Sequence, residues 1–262
     1  MAADAGITWR RVTFATIASP GVVDSERGQV ALAHNLPGWG RQGLVDAVHD
    51  VLGTNVRFEN DVNLATLGER WRGLGKDVSN FVYIHVGTGV GMGLVLNGEL
   101  FRGTHGLAGE IAYLPLAAAN PHDPANRTRG ALEGALGAAA IVATAKELGM
   151  KPPLTSKKVF AAARRGDAKA LEVVGVVSER IALAIAAIVP VLDPELVILG
   201  GGIGRNGDLL LESIDRELRT LSPFVPRVEI SPLGEDAELT GAVAMALDAA
   251  RDQLFARGEV PT

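Results

Sequence analysis

Four short stretches of this 262-residue chain combine residue types that can do chemistry. Glu59-Asn60-Asp61 stands where a β-branched run gives way to a helical pattern. A carboxylate there can take a proton from a hydroxyl while the neighbouring amide fixes the alcohol. Asn60 and Asp61 serve equally well as helix N-caps, so a purely structural reading stands beside the functional one. Gly87-Thr88-Gly89-Val90-Gly91 lies between two apolar runs. Glycines let backbone N–H groups close around a phosphate, and a plain hairpin uses the same residues. No Gly-Lys-Ser/Thr follows, so this is not a Walker A loop. Glu110 closes a run containing Gly103, Gly106 and Gly109, and Glu133 follows. Two carboxylates can each accept hydrogen bonds from two hydroxyls of a polyol, although spacing alone does not bring these two together. Gly200-Gly201-Gly202 reads either as a tight turn or as backbone packed against a nucleotide base or ribose. It is not a G-x-G-x-x-G fingerprint.

The flanking patterns supply the elements that must position these residues. Residues 12–18 predict a buried strand stopped by Ser19-Pro20-Gly21, and residues 29–33 a second. Leu44, Val45, Val48, Val51 and Leu52 recur at helical spacing, with Gly53 as the stop. A strand over 56–59 leads into a helix reaching about Trp71. Strands over 81–86 and 92–97 flank the Gly87 turn, and Asn97-Gly98 is a hairpin dipeptide. Residues 110–116 predict a third strand. Helices are expected from about 130 to 192, interrupted at Pro152-Pro153. A buried strand over 196–199, a helix over 208–221, a short strand over 228–230 and a helix over 238–255 complete the chain. Strands mixed with long helices indicate the α/β class. A boundary near Ser79 divides the chain into 1–79 and 80–262.

Composition narrows the function classes. Hydrophobic residues make up 47% of the chain and aromatics 5%, so the core must be built from Ala, Val, Leu and Ile. A net charge of −5 argues against nucleic acid bound over the whole surface. The chain has no cysteine, which excludes disulfides, Cys-ligated zinc and thiol catalysis. No secretory signal is visible at Met1-Ala2-Ala3-Asp4. The longest apolar run, 181–192, is shorter than the ~20 residues of a membrane span and predicts a buried helix. These features point to a soluble, cytoplasmic protein.

Each motif is modest, but their order is specific. Pro20-Gly21-Val22-Val23-Asp24, Asn35-Leu36-Pro37-Gly38-Trp39, Glu59-Asn60-Asp61-Val62-Asn63, the Gly87 turn and Arg102-Gly103-Thr104-His105-Gly106-Leu107-Ala108-Gly109-Glu110 follow one another. Leu196-Val197-Ile198-Leu199-Gly200-Gly201-Gly202 and residues 234–242 continue the series. From about residue 10 to 250 the chain resembles the ROK family of repressors, open reading frames and sugar kinases. The resemblance implies an actin-like ATPase (ribonuclease H-like) fold of two lobes around a cleft. It implies that Asp61 matches the general base of the family's kinases and that Asn60 holds the sugar. It implies further sugar contacts at Asn35, Glu110 and Glu133. Gly87, Thr88, Gly89 and Gly91 match a phosphate loop, and Gly200, Gly201 and Gly202 match an adenosine-side motif.

Three departures bear on the function. The Asp-x-Gly-Gly-Thr hairpin that binds phosphate and helps place magnesium in family kinases is not found, and Asp4-Ala5-Gly6-Ile7-Thr8 is a poor imitation of it. The N-terminal lobe therefore reads as incomplete, and phosphoryl transfer, which rests on positioning and charge, as impaired. The family's zinc site is lost. Tyr113 stands for a histidine ligand, Pro124, Asn126 and Ala131 stand for cysteines, and His122 reads as an ordinary loop histidine. Tyr113 then becomes part of the sugar site. No winged helix-turn-helix precedes the core. On these grounds the expected function is the sugar-sensing core of a ROK regulator without its DNA-binding part and without kinase activity. A sugar would be its partner, within a homo-oligomer, with no nucleic acid or membrane bound by this chain. The alternative is an ATP-dependent sugar kinase of glucokinase or N-acetylhexosamine kinase type with Asp61 as base, which alone would call for ATP and magnesium. A remnant that binds nothing tightly is the third reading.

Overall fold

The structure, a computed structural model, describes residues 4–24, 29–31, 38–39, 41, 43–117 and 120–256. Asn35 lies outside them. The first strands are β1 (Phe14–Ser19), β2 (Val22–Asp24) and β3 (Gln29–Ala31). Helix α1 (Leu44–Leu52) ends at Gly53, whose φ of 58° closes it in the left-handed region that glycine favours. Strand β4 (Asn55–Asn60) pairs in parallel with β1 and runs directly into α2 (Asp61–Arg72). β2 and β3 form a small antiparallel ladder. β2 was not anticipated from the sequence, where only its Pro-Gly-Val-Val-Asp motif stood out.

The main sheet has five strands in the order β7-β6-β5-β8-β9. They are β5 (Phe81–Val86), β6 (Val90–Leu96), β7 (Glu99–Leu100), β8 (Leu196–Gly200) and β9 (Arg227–Ile230). β5, β6 and β7 are antiparallel neighbours, whereas β8 runs parallel to β5 and β9 parallel to β8. Helices cover both faces of the central strands, which is why β5 and β8 read as continuous apolar runs rather than alternating ones. Val82, Ile84, Val86, Val197 and Leu199 face a core built with the long central helix, while Phe81, Tyr83, Leu196 and Ile198 face Ala65 of α2 and Ala237. The two-residue period of a strand makes this division.

The helices after β7 are α3 (Asn126–Arg129), α4 (Ala131–Leu136), α5 (Ala138–Glu147), α6 (Ser156–Arg164) and α7 (Ala168–Leu192). Then come α8 (Gly201–Gly204), α9 (Gly207–Leu221) and α10 (Ala237–Ala256). Among the described residues α7 alone is long and apolar enough to cross a membrane. Here it is a core helix: Val173, Val177, Ile181 and Ile185 are fully buried against the sheet. α10 packs tightly on α2 and also touches β1. That crossing depends on Gly68 and Gly241, where an added Cβ would lie 2.2 Å from the Ala237 carbonyl oxygen and 1.7 Å from that of Leu64.

One predicted strand is absent. Residues 110–116 contain a single 3-10 turn, Ile111–Tyr113, instead. The Gly109 carbonyl still accepts from the Met92 amide at the edge of β6. At Gly109 the backbone adopts a φ of 94° and leaves no room for a Cβ against the Met92 carbonyl. This segment therefore hydrogen-bonds to β6 only at Gly109 and turns away before Glu110.

Candidate active site

Asp61 opens α2, and the residues around it explain how the chain holds it there. The Asn60 side chain is the N-cap, its oxygen accepting from the Val62 and Asn63 amides at 2.9 and 3.0 Å. Its Nδ2 donates to the Gly21 carbonyl at 3.0 Å. Asn60 thus plays the structural part, and one N–H of its amide remains for a ligand. Glu59 is buried, yet both its oxygens are engaged. One accepts from Asn63 Nδ2 at 2.9 Å, and the other from Arg102 Nε at 2.8 Å and Nη2 at 2.7 Å. This charge-assisted pair, both arginine nitrogens on one carboxylate oxygen, fastens the start of the glycine-rich segment 102–110 to the β4–α2 corner.

A cleft of about 620 Å³ opens beside this corner. It brings together Asn60, Asp61, Glu110, Tyr113, Glu133 and the Thr88–Gly91 part of the glycine turn. Sequence spacing left open whether Glu110 and Glu133 converge; they line one wall system with Asp61. Burial pushes the Asp61 carboxyl above its ordinary range, opposed by the Val62 N–H and by His85. Burial also raises Glu110, and the charges of Asp61 and Glu133 raise it further. Glu133 accepts from the Val90 amide at 3.1 Å through one oxygen, which leaves the other for the cleft. A Cβ on Gly89 would lie 2.8 Å from that bonded oxygen, so a larger residue here would push the Glu133 carboxylate aside. Tyr113 donates to the Thr128 carbonyl at 3.4 Å, and burial followed by Glu110 and Glu133 raises its phenol.

A second cleft, of about 190 Å³, lies on the other side of Asp61. Tyr83, His85, Gly201, Gly202, Arg205 and Glu238 are among its walls, and Arg205 is paired with Glu235 at 2.7 Å. Of the three consecutive glycines at the end of β8, Gly201 and Gly202 line it. Gly200 does not. A Cβ there would meet the Tyr83 hydroxyl at 1.9 Å, so its role is packing under the sheet. Gly202 faces open space. Asp61 and His85 are the two residues that line both clefts.

His85 was missed in the sequence. The available signal was an ionisable residue interrupting an otherwise apolar strand, a position where burial without a purpose is costly. Among the described residues, no three His, Asp or Glu side chains converge on a point that can hold a metal ion.

The family model for the ROK family matches residues 6–249. The chain belongs to the ROK family. As a member, it is 34% identical over 248 residues to a glucokinase of Thermotoga maritima, covering 87% of this chain and 77% of the relative. It is 29% identical over 248 residues to a xylose repressor of Caldicellulosiruptor bescii, covering 88% of this chain and 61% of that protein. A ROK glucokinase from Streptomyces griseus, solved with glucose and AMPPNP, superposes with a TM-score of 0.80 and 27% identity over 94% of this chain and 84% of that one. The fold is the actin-like ATPase fold of these ROK neighbours.

Proposed function

We propose that this ROK protein is a sugar kinase that moves the terminal phosphoryl group of ATP to a hydroxyl of a hexose or N-acylated amino-hexose. The observation that carries the proposal is the position of Asp61 at the meeting of two clefts. One is walled by carboxylates suited to a polyol, and the other offers the bare backbone of Gly201, Gly202 and Gly234 beside Arg205, suited to a nucleotide. The sugar would lie against Glu110, Glu133 and Tyr113, with the spare N–H of Asn60 on one hydroxyl. Asp61 would take the proton as that oxygen bonds to phosphorus. The bond to the departing ADP oxygen breaks in line, and its electron pair leaves with ADP. Burial raises the basicity of Asp61, which suits it to this step near neutral pH. Magnesium would enter with the nucleotide phosphates, since no protein cage for it is formed among the described residues. The setting would be cytoplasmic.

The expectation of a sensor without kinase activity gives way here to its alternative, because the glucokinases resemble the chain over more of their own length than the repressors do. The xylose repressor keeps the sensor as the second reading. ADP release with magnesium-ATP over a panel of hexoses and N-acetylhexosamines separates the two. Turnover on at least one sugar, reduced ~100- to 10,000-fold in Asp61→Asn, is expected of the kinase. A folded protein that binds a sugar and never releases ADP is the sensor.

A further inference from the structure

His85 occupies the place where the two clefts join. It is the one residue of β5 that is only part-buried, and it shares with Asp61 the lining of both spaces. Its ring is wedged between the two glycine segments. A Cβ on Gly87 would come within 2.6 Å of its Nε2, and one on Gly201 within 3.0 Å of its Cε1. Neither ring nitrogen has a hydrogen-bond partner among the described residues. Neither is sealed off, since the one buried, unpartnered side-chain polar atom among those residues is Thr16 Oγ1. A histidine held by its strand, flanked by glycine on both sides and free at its nitrogens is placed to meet a ligand that spans the junction.

We propose that His85 is the contact residue for the phosphoryl group crossing between the clefts, donating a ring N–H to a phosphate oxygen opposite Asp61. The proposal rests on the kinase reading. His85 keeps its proton through the transfer and acts by charge, while the sugar proton goes to Asp61. Burial holds the imidazole below its ordinary value, with Asp61 acting against that. The groups around it are mostly acidic. Asp61 lines the junction with it from α2, Glu235 from the 3-10 turn before α10, Glu238 from the start of α10, and Glu110 and Glu133 line the larger cleft. Arg205 is neutralised by Glu235, Arg129 lies against Gly134, and Tyr83 on the same strand stays a neutral phenol. An entering phosphate adds negative charge beside a ring whose charged form Asp61 already favours. Nucleotide binding should therefore draw a proton onto His85.

The test is calorimetric titration of magnesium-AMPPNP at pH 7 in two buffers of different ionisation enthalpy, with wild type and His85→Gln. The wild type should take up a fraction of a proton. The variant should take up none and bind ~10-fold more weakly, with sugar affinity within about twofold of wild type. Binding without buffer dependence and unchanged in His85→Gln overturns the proposal and leaves the kinase reading standing if turnover persists. No nucleotide binding by a folded, sugar-binding protein overturns both. Should the variant fail to fold, the wild-type buffer dependence decides alone, and its absence overturns the proposal.

Discussion

At the scale of single residues, the site depends on side chains, Glu59 and Arg102, that line neither cleft. Glu59 is 5% exposed and would be a buried, unpaired charge without Arg102. Arg102→Ala leaves that charge uncompensated. With the arginine itself part-exposed, we expect a cost of about 2 kcal/mol, below that of a fully buried pair. The same change unfastens segment 102–110 and with it Glu110, so the sugar KM should rise ~10-fold while the ATP KM stays near wild type. Thermal unfolding and steady-state kinetics check the two effects separately. A raised ATP KM with an unchanged sugar KM would count against the assignment of Glu110 to the sugar. Nothing in the sequence linked Glu59 to Arg102, because forty-three residues separate them and only the folded corner brings them together. Asn60 shows the opposite case. The sequence allowed it to be a cap or a ligand, and the backbone bonds it makes show that capping uses most of its hydrogen-bonding capacity.

At the scale of elements, glycines that look alike in the sequence do different work. Gly241 sits where α10 crosses α2, and a methyl there collides with backbone that cannot move aside. Gly241→Ala should cost about 3 kcal/mol or more by forcing the helices apart. Gly202 has open space around it and faces the smaller cleft. Gly202→Ala should leave the melting temperature within a degree or two, and raise the ATP KM ~10-fold if the nucleotide packs on that backbone. Equal stability losses in both variants would contradict this division. Periodicity found most helices and strands to within a few residues, because their apolar faces are long and regular. It failed at 110–116, where an apolar composition suited to a strand is overridden by the turn at Gly109 that carries Glu110 into the cleft.

At the scale of the whole molecule, the order of motifs disclosed the family before any contact was known, since each motif marks a corner of the same fold. What the order did not disclose is that two clefts meet at Asp61 and His85, because β5 and the start of α2 are joined only by packing. The same packing buries several carboxylates. Asp61, Glu69, Glu110 and Glu238 are all raised by burial, and Glu69 is fully enclosed while bonded to the Ser231 hydroxyl and the Leu74 amide. A carboxyl raised in the folded state binds its proton more tightly there than in the unfolded chain. Its contribution to stability is therefore present at low pH and lost as pH rises through the folded value. His85 is lowered, so its contribution runs the other way and is lost as pH falls below 6.5. With four carboxyls against one imidazole, the melting temperature should rise as pH is lowered from neutrality towards the ordinary carboxyl values of 3.8 and 4.5. The rise should shrink in Glu69→Gln and in Asp61→Asn, in which a neutral amide replaces the charge. A melting temperature that falls steadily over that interval would contradict the assignment of these shifts to burial.

The central claim is that a phosphoryl group passes across Asp61 from the smaller cleft to a sugar in the larger one. Phosphorus NMR of the protein with magnesium-ATP and each sugar of the panel tests it most directly, because the bond formed is the quantity observed. The account predicts a new phosphomonoester signal growing in step with ADP for at least one sugar, slowed ~100-fold or more in Asp61→Asn. A protein that is folded, binds that sugar and yields no phosphomonoester would contradict it and leave the sensor as the reading of this fold.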